Sequence, residues 1–148
     1  LFVAGVIGMM LGAYLSGRIA GKRSPRATVW FGYALMLLGA VYNNLFYLGF
    51  SPQLPWSVVH QVVYAVGMAL AMPSLTLMLL DLFPRNRGMA ASLQGCLQSL
   101  IIAFVAGIAA PLFSVSAATL ALGALLFALI GLALWLAYLA LPKVEVQP

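Results

Sequence analysis

Acidic side chains are almost missing from this chain: Asp81 and Glu145 are the only two in 148 residues. A carboxylate dyad for general acid and base work is therefore absent. Cysteine occurs once, at Cys96, which excludes an internal disulfide and a thiol cluster for a metal or redox centre. No Gly-x-Ser-x-Gly elbow and no zinc-ligand spacing is present, so neither an enzyme nor a metal or other cofactor is expected. Polar stretches long enough to form an extramembrane domain are lacking as well. The chain starts LFVAGVIGMM, without an initiator Met, a basic n-region or a small-residue cleavage site. It reads as a fragment rather than as a chain with a signal peptide.

What fills the sequence instead is apolar. Hydrophobic residues make up 65% and charged residues 6%, against about 45–50% and about 25% in soluble domains. Mean hydropathy is +1.11. The solvent for such a chain is a bilayer, and the expected fold class is an all-α integral membrane protein. The net charge of +5 does not point to nucleic acid, because the cations sit in short breaks between apolar runs rather than on one solvated face.

Windows of about 19 residues place five transmembrane helices at roughly 1–16, 28–50, 56–83, 89–113 and 117–141, forming a bundle over 1–141 with a short tail at 142–148. Helices are required because lipid offers no partner to open backbone groups, and the runs lack the alternation of barrel strands. Arg18, Lys22, Arg23 and Arg26 follow the first span, Arg85 and Arg87 the third, and Lys143 the fifth. The breaks after the second and fourth spans carry no charge. By the positive-inside rule the cations mark the cytoplasmic side, giving a multi-pass protein of the cell inner (plasma) membrane with a cytoplasmic C-terminus. Tyr47 and Trp56 suit the opposite interface, and Trp30 and Trp135 the cationic one.

Two spans repeat a small residue at every fourth position. The first carries Ala4, Gly8, Gly12, Ser16 and Ala20; the fourth carries Ala91, Gly95, Ser99, Ala103 and Gly107. Such a series forms a ridge that admits a second backbone, so both helices are expected to pack on others. The fifth span is bulky almost all round and is expected to face lipid. Asn43 and Asn44 are expected at the outer interface.

In the break DLFPRNRG, Asp81 ends the third helix, where the macrodipole disfavours a carboxylate unless a cation is near. Arg85 and Arg87 are the sequence neighbours able to pair with it, while Arg18, Lys22 and Arg23 lie on the same membrane side. The stretch is either a cytoplasmic gating latch or an ordinary topology-marking loop. From Met72 to Gln98, MPSLTLMLLDLFPRNRGMAASLQGCLQ resembles the link between the tenth and eleventh helices of the major facilitator superfamily, and most closely its bicyclomycin-resistance type of drug-efflux permease. GRIAGKRSPR, from Gly17 to Arg26, is similar to a degenerate copy of the motif that this superfamily carries between helices eight and nine. Gly17, Ile19, Ala20, Lys22 and Arg26 fit that motif. Gly21 replaces its acid and Ser24 its second glycine, so the contacts of that acid do not carry over.

The resemblance implies that the five spans are helices eight to twelve of a twelve-helix transporter, part of its C-terminal six-helix domain. It also implies that both small-residue ridges pack against the missing N-terminal helices. On the third span His60, Tyr64, Met68 and Met72 recur at i, i+4, with Gln61 beside the first and Pro73 placed to kink the helix. The resemblance turns that face into the central cavity, where methionines and a few polar groups would suit small apolar or cationic solutes. Otherwise the methionines simply pack and His60 is solvated or hydrogen-bonded to a neighbour. Gln94 and Gln98, beside the ridge of the fourth span, either bridge helices or contact solute. No acid lies in mid-membrane, so the carboxylate of a proton-coupled antiporter is expected in another part of the protein. The reading is a multidrug or small-molecule efflux permease working by alternating access, with a metabolite or sugar exporter or a non-transport assembly subunit as alternatives.

Overall fold

A computed structural model of the chain describes residues 2–19, 22–49 and 56–141. Ala20, the SPQLP break, Lys143 and the tail at 142–148 lie outside the described residues, as do the side chains of Ala4, Tyr47 and Trp56. The described chain is helical, with no strand. Its elements are α1 (Phe2–Ile19), α2 (Pro25–Gly49), α3 (Trp56–Leu82), α4 (Arg87–Phe104), a π-helical segment (Val105–Ala109), α5 (Ala110–Phe113) and α6 (Ala117–Ala140). Four helical stretches, Pro25–Phe46, Val58–Leu82, Arg87–Phe113 and Ala117–Ala140, are long and apolar enough to cross a membrane, and Gly5–Ile19 is a shorter apolar helix.

The ends follow local chemistry. α2 begins at Pro25 rather than at 28, because Pro25 needs no N–H partner in a first turn and Ser24 Oγ accepts from the Ala27 amide at 3.3 Å. Arg26 therefore belongs to the first turn of α2 and not to the preceding loop. α6 starts on a reciprocal cap: Ser116 Oγ accepts from the Thr119 amide, and Thr119 Oγ1 from the Ser116 amide. Pro111, inside the expected fourth span, is helical. It has no N–H for the carbonyl four residues back, and the widened π turn just before it, closed by the Ala110 amide on the Val105 carbonyl, relieves the crowding such a proline creates. Pro73 lies inside α3, which stays helical on both sides of it; the expected kink is not marked by any break.

α3 is the centre of the packing, touching both α1 and α2. Residues two apart on a helix point roughly 200° apart, and α3 places small residues on both resulting faces. Ala65 and Ala69 meet α1: a Cβ on Gly8 would lie 2.9 Å from Ala65 Cβ, and one on Gly12 would lie 2.6 Å from Ala69 Cβ. Gly67 and Ala71 meet α2, where a Cβ on Gly32 would stand 2.7 Å from the Gly67 carbonyl oxygen and one on Gly67 would stand 2.6 Å from that of Gly32. These distances leave no room for a side chain, so backbone packs on backbone.

The register of these contacts sets the topology. Gly8 and Gly12 ascend α1 as Val62 to Ala69 ascend α3, so the two helices run parallel, whereas Gly32 meets Gly67 and Gly39 meets His60, so α2 runs against α3. Asn44 meets Ala121 and Tyr33 meets Gly131, which sets α6 antiparallel to α2. Arg18, Lys22, Arg23, Arg26, Arg85 and Arg87 consequently share one end of the bundle, as the charge pattern requires.

Three expectations about α6 and its neighbour are corrected. α6 is not bulky all round: Ala121, Gly123, Ala128 and Trp135 are buried, and Gly131 lies under the Tyr33 ring. Leu120, Leu126, Ile130 and Leu134 are exposed, so only part of the helix is left for lipid. Asn43 and Asn44 are not at an open interface. Asn43 is buried, and the Asn44 amide donates to the Ala40 carbonyl at 2.9 Å and to the Ala121 carbonyl at 3.1 Å, tying α2 to α6. Trp135, expected as an interfacial aromatic, is buried and stacked on Tyr138 at 5.5 Å.

Candidate functional site

α4 leans on α3 at its start and then leaves the bundle: none of its residues is buried. The angle between them opens a cleft of about 660 Å³, within the range of small-molecule sites. Met68, Met72 and Leu79 of α3 form one wall, and Leu93, Leu97, Gln98 and Ile101 of α4 the other. Four of the seven expected cavity residues, Met68, Met72, Gln94 and Gln98, are thereby brought together.

His60, Gln61 and Tyr64 are not among them. Each i, i+4 step overshoots a full turn by about 40°, so from His60 to Met72 the row swings by roughly 120°. At its upper end the backbone of His60 and Tyr64 abuts Gly39 of α2, and the Gln61 amide lies 3.2 Å from the Cβ position of Gly5 on α1. The row is continuous in sequence yet serves two different neighbours. The row therefore does not form one face, and only its lower half, Met68 and Met72, lines the cleft.

Gln94 serves as a bridge. Its Nε2 donates to Thr76 Oγ1 at 2.8 Å, linking α4 to α3. Thr76 was not singled out from sequence, although an amide in an apolar span signals that a polar partner lies on a facing helix. Gln98 is exposed toward the cleft. A double-mutant cycle of Gln94→Leu and Thr76→Val should give a coupling of about 0.6 to 1.7 kcal/mol, the range for interhelical hydrogen bonds in membranes. Additive unfolding free energies would show that the bond contributes nothing.

At the cationic end Asp81 Oδ1 receives the Arg87 guanidinium at 3.1 Å across the α3–α4 turn. The Arg87 side chain is 60% exposed and that of Asp81 69% exposed, so water screens the pair and it contributes about 1 kcal/mol or less. Arg85 is exposed, as are Arg18, Lys22, Arg23 and Arg26. Arg18 stacks on Tyr14 of its own helix at 5.2 Å, and a Cβ on Gly17 would meet nothing within 4 Å. Asp81→Asn should lower the unfolding free energy of the chain by no more than about 1 kcal/mol, and the difference should shrink toward zero in molar salt, where the screening length is about 3 Å. A loss of several kcal/mol would mean that Asp81 is tied to more than its own turn.

The small-residue ridges have different fates. Gly8 and Gly12 pack within the chain, on α3, rather than waiting for further helices; Ser16 is half-buried. Ala91, Gly95, Ser99, Ala103 and Gly107 are all exposed, and a Cβ on Gly95 or Gly107 would meet nothing within 4 Å. Ser99 returns its hydroxyl to the Gly95 carbonyl at 2.9 Å. Among the described residues no group of three His, Cys, Asp or Glu could hold a metal ion. Comparison of the chain with family models, curated proteins and solved structures finds no match.

Proposed function

We propose that this chain is the C-terminal part of a secondary efflux transporter of the major facilitator type, in which the cleft between α3 and α4 is one wall of the solute path. The observation that carries this reading is the cleft of about 660 Å³ where Met68, Met72, Gln94 and Gln98 converge. Thioether side chains adapt to many shapes and the amide of Gln98 offers a donor and an acceptor, a combination suited to small apolar or cationic solutes. The uncovered ridge of α4 supports the same reading, since small residues and a few hydroxyls fit a further helix better than lipid tails. In this proposal α1, α2, α3, α4 with α5, and α6 stand as helices eight to twelve. The cationic end faces the cytoplasm across an inner membrane, and the remaining helices of the transporter cover α4.

Asp81 lies at the end of α3, beside its turn, too near the aqueous phase for a mid-membrane proton carrier. A proton-coupled mechanism would therefore take its carboxylate from other helices of the transporter. Accumulation of dyes, antibiotics and sugars in cells expressing the complete gene tests the reading. Lower accumulation of apolar cations is the expected result; lower accumulation of sugars alone would make the solute a metabolite, and no change for any solute overturns the transport reading.

A further inference from the structure

A second groove, of about 400 Å³, opens between α2, α3, α4 and α6, separated from the solute cleft by Leu79 and Gln94, which line both. Leu75, Met78 and Leu82 of α3 and Leu134 of α6 make its walls apolar. The groove runs out at one end of the bundle, because Leu82 is the last residue of α3 and its other limit, Tyr138, stands in the last turn of α6. That is the end carrying Arg26, in the first turn of the antiparallel α2, and Arg85, just beyond α3.

Among the described residues the charges at this end are not balanced. Asp81 is the single acid among the described residues, and Arg87 holds it, so Arg26 and Arg85 are exposed cations with no acid among the described residues to pair with. Depth is also informative. A helix of 24 residues, as α6 is, spans roughly 36 Å against a hydrocarbon core of about 30 Å, so Tyr138 stands near the boundary of that core and Trp135, one turn earlier, several ångströms inside it. Trp135 lines the groove within the hydrocarbon and is 4% exposed, and its buried indole N–H has no acceptor among the described residues.

An apolar slot with an unbalanced cationic mouth fits an amphiphile with an anionic head. A neutral or cationic solute would leave the arginines uncompensated, and a zwitterionic lipid would bring its own cation toward them. We infer that the groove between α2, α3, α4 and α6 binds one acyl chain of an anionic phospholipid, whose phosphate is held by Arg26 and Arg85. The site is independent of what the α3–α4 cleft carries and requires only that the protein be embedded in a bilayer.

Phosphatidylglycerol bearing a photoreactive group on one acyl chain, mixed at low level into phosphatidylcholine vesicles that hold the intact protein, tests the site. Cross-links mapped by mass spectrometry should concentrate on residues 75–82 and 131–138 and be displaced by unlabelled phosphatidylglycerol but not by phosphatidylcholine. Arg26→Gln and Arg85→Gln should each weaken labelling about fivefold, while Arg26→Lys and Arg85→Lys retain it. Both positions are exposed, so these variants test the lipid and not the fold. Met78→Trp, which fills the groove, should remove labelling there and leave that of exposed leucines on α4 unchanged. Even labelling around α4 and α6, equal displacement by phosphatidylcholine, or indifference to both arginines would overturn the inference.

Discussion

Gly67→Leu should abolish the folded bundle, and even Gly67→Ala should lower its unfolding free energy by about 1 to 3 kcal/mol, the usual cost of forcing extra atoms into a packed interface. A Cβ at this position would stand 2.6 Å from the Gly32 carbonyl oxygen and 2.8 Å from the Met36 amide nitrogen. Both are backbone atoms, which cannot swing aside as a side chain does, so α2 and α3 would have to separate along their whole contact. The measurement is thermal or denaturant unfolding in detergent, read beside Gly95→Ala. At Gly95 a Cβ meets nothing within 4 Å, and alanine is the better helix former by about 0.5 to 1 kcal/mol, so that variant should be neutral or slightly stabilising. Equal losses at the two positions would refute the packing described for α3. Gly95→Leu in the complete protein adds a further reading. Damage there comparable to Gly67→Leu would support the proposed cover over α4, and none would leave that face to lipid.

On the proposed transport function, Met72→Trp, and more strongly Met68→Trp with Met72→Trp, should lower solute export by about tenfold or more, equivalent to at least about 1.4 kcal/mol of lost interaction. Met72 is 38% exposed and faces the cleft rather than the α2 or α1 contacts, so a larger ring there occupies solute volume without disturbing helix packing. Protein level and melting temperature should be those of the parent. His60→Ala sets the contrast, because the backbone at His60 abuts α2 at Gly39 and the residue does not line the cleft; its effect should appear in stability before transport. Full export by the double tryptophan variant would exclude the cleft from the solute path.

Much of the architecture was legible because bilayer physics leaves few choices. Apolar runs of sufficient length must become helices, and cations repeated after alternate helices must gather at one end. The pairing of Asp81 with a cation just beyond the turn followed from the same local charge logic, and the structure selects Arg87. Site residues were less legible. Met68, Met72, Gln94 and Gln98 line one cleft, but the drift of the i, i+4 row sends His60 and Tyr64 to α2. The contacts of Gly32 and Gly67 went unread, since a lone glycine in an apolar helix looks the same whether it faces lipid or another backbone.

By itself, then, the sequence determined the solvent, the helices, their alternating direction and the end that carries the charge. Each follows from composition and local spacing, which act within one helix or its adjoining turn. Only tertiary structure decided which ridge found a neighbour: Gly8 and Gly12 close on α3, whereas Gly95 and Gly107, in an equally small-residue series, stand uncovered. The physical reason is that a small residue permits close approach without specifying the helix that approaches, and that choice depends on the shapes of all the helices at once.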